Sequence, residues 1–198
     1  MQLPNDAVLL LIDVQRAFDH PRWGRRNNPS AETNIRALLD NWRAHGAAVI
    51  HVHHRNPRPG SLFNPDGPGV DVKPEAAPVP GEPVLFKDVN SAFIGTDLEE
   101  RLRAMGATTL VIAGLTTDHC VSTTVRMAAN LGFFPFVVSD ATATFDRTGP
   151  DGKHFDAELM HETALTSLHD EFAQIVTTLQ ALDAFKNASE ADAARPNR

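Results

Sequence analysis

A three-layer α/β/α fold around a doubly wound, mainly parallel sheet is what this 198-residue chain predicts, on three observations. Apolar runs of strand length recur along it and are continuous rather than alternating, as in strands buried on both faces. Segments with helical spacing separate the runs, the strand–helix–strand rhythm of a parallel sheet. Asp13, Lys87 and Cys120 each stand where an apolar run ends, and ligands of such Rossmann-like sheets sit beyond the carboxyl ends of the strands.

Taken in order, residues 7–12 read as a buried strand ending at Asp13. Ser30 caps a helix whose Ile35, Leu38, Leu39 and Trp42 share one face, with Gly46 as its stop. Residues 47–52 form the next strand, and 84–86 a shorter one ending at Lys87. Thr96-Asp97-Leu98-Glu99 has the form of a capping box, leading a helix that carries Leu98, Leu102 and Met105 to Gly106. A strand over 109–113 runs into the segment around Cys120 and a helix over 122–131, stopped by Gly132. Residues 134–138 are a strand ending near Asp140, with Pro135 at its start or at an irregular edge. A helix over 157–169 and a short strand over 172–177 follow. One domain is assigned to residues 1–186, and the alanine-rich polar stretch 187–198 to a frayed tail. Residues 56–81 stand apart, with prolines at 57, 59, 65, 68, 74, 78 and 80; they are too long for a plain connection and read as a lid or a partner-facing loop.

Composition narrows the function. A formal charge of −7 leaves no basic footprint for nucleic acid. No run approaches the ~20 apolar residues of a membrane span, and the first residues have no basic stretch of the signal-peptide kind. A single cysteine excludes an internal disulfide framework, so a reducing cytoplasm is the expected compartment. A small molecule is the expected partner.

Cys120 lies in Gly114-Leu115-Thr116-Thr117-Asp118-His119-Cys120-Val121, between a strand and a helix. A helix N-terminus pointing at a thiol lowers its pKa, which favours the thiolate that attacks carbonyl carbon. Thiol catalysis also needs a base and donors for the oxyanion. Asp13 suits the base, and Lys87 suits a partner that holds Asp13 ionised or stabilises the thiolate. Taken singly, each has a structural alternative: a buried thiol, a strand-end cap, a solvated surface charge. Three such residues at the strand ends of one sheet favour chemistry.

The chain resembles the isochorismatase-like cysteine hydrolases, a family that includes nicotinamidases, N-carbamoylsarcosine amidohydrolases and ureidoacrylate amidohydrolases. The matching pieces are Leu10-Leu11-Ile12-Asp13-Val14-Gln15-Arg16-Ala17-Phe18, Lys87-Asp88-Val89-Asn90-Ser91-Ala92-Phe93, the Cys120 segment, and Ser139-Asp140-Ala141-Thr142-Ala143-Thr144. Their order and spacing carry the resemblance over nearly the whole domain. It implies a triad of Cys120, Asp13 and Lys87, a cis peptide between Leu115 and Thr116, and an oxyanion hole from the N–H groups of Thr116 and Cys120. It implies a homo-oligomer, dimer or tetramer; no cofactor is expected. The expected reaction is attack of Cys120 on an amide, carbamoyl or lactam-type carbonyl, with a thioester intermediate.

The sequence departs from the nicotinamidase pattern, which carries Asp-x-His after the second strand for a metal. Here Ile50-His51-Val52-His53-His54-Arg55-Asn56-Pro57 has no such motif. His51 and His53 share a strand face, and such a pair can chelate zinc, but no carboxylate stands at the right spacing, so no metal is expected. Some relatives cleave a vinyl ether with the aspartate as general acid, which stays as an alternative. For the substrate, Arg55 is expected to meet a carboxylate, with Arg25 and Arg26 in reserve. Phe18, Trp23 and Phe93 are expected to wall the pocket, and Asn90 and His119 to touch the substrate. Competing classes are a binding module with an inert thiol and an interaction protein using the proline-rich loop. A dinucleotide enzyme is excluded, since no Gly-x-Gly-x-x-Gly turn follows the first strand.

Overall fold

The computed structural model describes residues 3–193. Its strands are β1 (Val8–Ile12), β2 (Val49–His54), β3 (Val84–Lys87), β4 (Thr109–Leu115), β5 (Phe134–Ala143), β6 (Arg147–Thr148), β7 (His154–Phe155) and β8 (Gln174–Val176). Its α-helices are α1 (Ala31–Ala44), α2 (Leu98–Ala104), α3 (Ser122–Asn130), α4 (Ala157–Leu168) and α5 (Thr178–Ala193). Six strands pair in parallel in the order β3-β2-β1-β4-β5-β8, while β6 and β7 form a small antiparallel ribbon outside that sheet. Among the described residues no helix is long and apolar enough to cross a membrane.

The apolar runs are continuous because both faces of the sheet are covered. Leu9 and Leu11 of β1 pack with Ile35, Leu38, Leu39 and Trp42 of α1 and Phe185 of α5. Val8, Leu10 and Ile12 face the other way, onto Leu98 and Leu102 of α2, Val125 of α3 and Leu168 of α4. Each such side chain contributes about 1.5–3 kcal/mol by leaving water. From β1 the chain winds to β2 and β3 on one side, then crosses to β4 on the other. The winding therefore reverses between β1 and β4, where open α/β sheets make their crevice.

Three strands outrun their apolar patterns at the carboxyl end. β2 continues through His53 and His54, β4 through Gly114 and Leu115, and β5 to Ala143. Backbone pairing persists there, as in His54 beside Lys87 and Ile12 beside Gly114, while side-chain chemistry turns polar. Pro135 sits at the start of β5, opposite Leu110; β8 pairs only from Phe136 onward, so the missing N–H breaks no bond to it.

Two helix starts differ from the sequence reading. The capping box expected at Thr96 is not made: Thr96 Oγ1 donates to Ala92 O at 2.5 Å, and Glu99 pairs with Arg103 at 3.2 Å. Asp97 becomes the residue that precedes α2. A reciprocal cap occurs instead at Thr177 and Gln180, where Thr177 N donates to Gln180 Oε1 (2.8 Å) and Gln180 N to Thr177 Oγ1 (3.3 Å). It opens α5, a helix the apolar pattern does not announce because alanines at 181 and 184 carry much of its buried face. Phe185 stacks on Trp42 at 4.2 Å and fixes α5 against α1. The backbone is helical to Ala193, into the stretch read as a tail; residues 194–198 lie outside the described residues.

The proline-rich segment divides in two. Asn56 N donates to Phe63 O at 2.9 Å and closes a short loop. Beyond it, Pro68 and Pro74 open 3-10 turns, where a missing N–H costs nothing. That second part is strapped to the chain after β1: Lys73 N bonds Val14 O (2.9 Å), Arg16 N bonds Asp71 O (2.8 Å), and buried Lys73 pairs with Asp19 and Glu32.

Gly114 is required by close approach. Its φ is +129°, and a Cβ there would lie 2.0 Å from Ile12 O, a backbone atom of the neighbouring strand. Gly114→Ala is expected to cost about 3 kcal/mol, combining backbone strain with overpacking. Urea unfolding checks this; a loss below about 1 kcal/mol would contradict the required contact.

Candidate active site

Asp13 leaves β1 with φ +51°, a left-handed conformation that aspartate tolerates better than most residues. Its N–H is held by Val52 O at 2.8 Å. Gln15, fully buried, acts as a strut: its amide donates to His54 O and Val70 O, both at 3.0 Å, and its Oε1 accepts from His54 N at 2.8 Å. Side-chain direction alternates along a strand, so the end of β2 turns His54 away from the face shared by His51 and His53.

Lys87 Nζ donates to Asp13 Oδ2 at 2.6 Å, with both side chains essentially excluded from solvent. It also approaches His54 Nδ1 at 3.2 Å. A carboxylate oxygen of Asp13, a ring nitrogen of His54 and Cys120 Sγ lie within 4.8 Å of one another. Burial raises the Asp13 pKa even against the pull of Lys87. Burial first, and then Lys87, lowers His54 to about 4, so its imidazole is neutral at pH 7.

Cys120 does not sit at the first turn of an ordinary α-helix. Residues Thr117–Val121 form a π-helical turn that precedes α3, and the Leu115–Thr116 peptide before it is cis. The low thiol pKa expected for a helix N-terminus is overturned: Cys120 is pushed up to about 12, first by burial and next by the Asp13 carboxylate, with Lys87 pulling the other way. At neutral pH the thiol is therefore protonated beside the Asp13 carboxylate.

Two buried anchors brace the π-turn. Thr117 Oγ1 meets His161 Nδ1 of α4 at 2.8 Å, and Asn28 supports that ring while donating to Ser139 O (2.9 Å) and Thr142 O (2.7 Å). Asp118 accepts from Thr144 Oγ1 at 2.5 Å and from Arg147 Nε at 3.0 Å. His161, Asn28 and Arg147 carry no local sequence signal, since each acts across a long stretch of chain. His54 does carry one: it stands at a strand end as Asp13 and Lys87 do, once β2 is followed to its last residue.

A cavity of about 450 Å³ opens over these groups. Asp13, Thr116, Cys120, Asn90 and His119 line it, together with Phe18 and Trp23. Asp13 Oδ1 and Thr116 Oγ1 are buried without an ordinary hydrogen-bond partner in the protein, an arrangement that favours a polar ligand. Phe18 packs against Trp23 and Phe63, each at 5.2 Å between ring centroids.

Two expected pocket residues are elsewhere. The Arg55 guanidinium lies flat over Phe86, 3.3 Å from the ring centroid, on an exposed face. Phe93 is buried in the core beneath α2 and α3 and stacks on Phe133 at 5.9 Å. Of the reserve arginines, Arg25 pairs with Glu158 and Asp146, and Arg26 with Glu32. The pocket arginines are instead Arg22 and Arg58.

The histidine pair also differs from its sequence reading. A carboxylate does reach His51: Glu82 Oε2 lies 2.8 Å from Nε2, but Arg43 holds both Glu82 oxygens at 2.8 Å. His53 packs beside His51 and Phe86, lowered to about 4 by burial and then by His51. In the cavity itself, the Asp13, His54 and Cys120 donor set already surrounds the Lys87 ammonium, where a metal cation would meet like charge.

Among known proteins, residues 7–180 match the Isochorismatase domain. The chain belongs to the isochorismatase family of hydrolases. It is 48% identical to YrdC, an uncharacterized isochorismatase family protein of Bacillus subtilis (strain 168), over 90% of this chain and 95% of that one. A crystal structure of an isochorismatase-family protein from Chromobacterium violaceum ATCC 12472 superposes with a TM-score of 0.92 at 43% identity, covering 94% of this chain and 97% of that one. The ureidoacrylate amidohydrolase RutB of Methylobacterium radiotolerans is 32% identical over 68% of this chain and 48% of its own length.

Proposed function

We propose that the protein hydrolyses an amide, carbamoyl or lactam-type C–N bond of a small molecule through a thioester on Cys120. Asp13 is the base in this reading and Lys87 its charge partner. One observation carries it: a thiol and a buried carboxylate stand together in the lining of one cavity, and the carboxylate accepts from a buried ammonium at 2.6 Å. Similarity to an amidohydrolase supports the choice of C–N chemistry.

The resting thiol is neutral, so proton transfer accompanies attack. As Sγ bonds to the carbonyl carbon, its proton passes to Asp13, whose raised pKa suits it to receive one. The oxyanion accepts hydrogen bonds from the N–H groups of Thr116 and Cys120. Asp13 returns the proton to the leaving nitrogen as the C–N bond breaks, giving free amine or ammonia and a thioester. Asp13 then takes a proton from water, hydroxide adds to the thioester carbon, and the acid leaves as the thiol regains its proton. Lys87 stays charged throughout and stabilises whichever of Asp13 and Cys120 is anionic.

Ammonia release from a panel of primary amides, ureido acids and lactams tests this, with intact-mass detection of an acyl adduct in rapidly quenched samples. Expected are release from at least one compound and an adduct on the peptide holding Cys120. Turnover that persists in Cys120→Ala would sink the thioester route. It would favour direct attack by water on the same carbonyl with Asp13 as base, whereas vinyl ether cleavage, for which a raised Asp13 serves as general acid, predicts no ammonia from any of these compounds.

A further inference from the structure

We infer that the substrate carries an anionic planar group of the carboxylate class on a flat body, and that Arg22 and Arg58 receive that group at the cavity mouth. This inference rests on the reading of Cys120 as the reacting group. The chain has a formal charge of −7, yet the unpaired ions around this cavity are cations. Its carboxylate, Asp13, is spent on Lys87. Arg22 projects from the 3-10 turn Pro21–Trp23, and Arg58 from the loop closed between Asn56 and Phe63. Neither guanidinium has an ion pair or hydrogen-bond partner among the described residues.

Among the described residues the protein offers neither guanidinium a free carboxylate. The carboxylates near the mouth are already matched, Asp118 by Arg147 and Asp146 by Arg25. An arginine free at a surface is ordinary. Two that open onto one cavity, above an unpartnered Asp13 Oδ1 and Thr116 Oγ1, make a graded site with polar acceptance at the floor and cationic acceptance at the rim. Guanidinium forks match planar oxyanions in two-point contact. Phe18, Trp23 and Phe63, packed on one another, form an aromatic wall of the same cavity, which suits an unsaturated or aromatic body. A volume of about 450 Å³ holds a molecule of that size.

The single cysteine lets the charge preference be read without knowing the substrate. Iodoacetate and iodoacetamide differ in charge but alkylate the same thiolate, so the ratio of their rates cancels the thiol pKa. Relative to N-acetylcysteine, the wild-type ratio is expected to favour iodoacetate. In the Arg22→Gln/Arg58→Gln double variant it should fall about 5- to 10-fold, and Arg22→Lys/Arg58→Lys should keep most of the preference. Added salt should shrink the difference. A ratio unchanged in the double glutamine variant overturns the inference.

Should alkylation prove too slow, the tryptophan emission, to which Trp23 of the cavity and core Trp42 both contribute, makes the same comparison when titrated with benzoate and with benzamide. Benzoate is expected to bind the wild type more tightly than benzamide and to lose that advantage in the double variant. Benzoate that perturbs the emission no more than benzamide overturns the site. Intact charge preference with no C–N compound of the panel turned over would count against the amide-hydrolysis reading and leave the anion site standing.

Discussion

Replacing Cys120 by alanine is expected to lower turnover of a true substrate by at least about 10³-fold, and Asp13→Asn by a similar factor, since nucleophile and base act as one unit. The two variants should part company in a second measurement. Asp13 raises the Cys120 pKa through its charge, while Lys87 lowers it. Removing the carboxylate leaves the cation, so the thiol of Asp13→Asn should be more acidic than that of the wild type. Iodoacetamide should then label Asp13→Asn faster at pH 8 even though the variant does not turn over. A wild-type thiol held near 12 labels slowly until the solution is strongly alkaline. Slower labelling of Asp13→Asn would mean that the carboxylate withdraws the thiol proton at rest, contrary to the protonated state derived above.

Lys87→Met should carry the second large effect, on stability as well as turnover. The Lys87 and Asp13 side chains are 0% and 1% exposed, so neither charge has water to fall back on. Breaking such a pair from one side typically costs about 3–5 kcal/mol, because the remaining charge is stranded in a poor solvent. Adding Asp13→Asn to Lys87→Met removes the stranded charge and should recover much of that loss. A denaturant-melt cycle over the four proteins checks this, with a coupling of at least about 1 kcal/mol expected. Additive losses would show that the two groups are each separately solvated. Turnover should be lost in all three variants, so stability and activity become separable readouts of the same pair.

The fold was legible because every inner strand is covered on both faces, which writes itself as runs such as Val8-Leu9-Leu10-Leu11-Ile12. Chemistry at the strand ends was legible for the same reason: an ionisable residue directly after such a run stands out, as Asp13 and Lys87 do. His54 escaped because the polar pair His53-His54 hides where β2 ends. Proximity in sequence places Arg55 at the pocket, but one residue past the strand end the side chain turns outward onto Phe86. The direction of the thiol pKa is not legible locally, because burial and a neighbouring carboxylate are tertiary facts that outweigh the effect of a helix start. His161 and Arg147 brace the π-turn across 44 and 29 residues of chain, separations that no local pattern reports.

The bond from Asn56 N to Phe63 O makes the loop between them a self-contained piece with its own base. That piece supplies Arg58 and Phe63 to the cavity, whereas the sulfur, carboxylate and ammonium come from strand ends and the π-turn. Part of the cavity wall is thus encoded apart from the reacting groups, while Phe18, Arg22 and Trp23 follow Asp13 in the same stretch. A protein engineer can treat residues 56–63 as a cassette: grafts that keep the closing backbone bond and the ring over His54 should redirect substrate choice without retuning the machinery beneath.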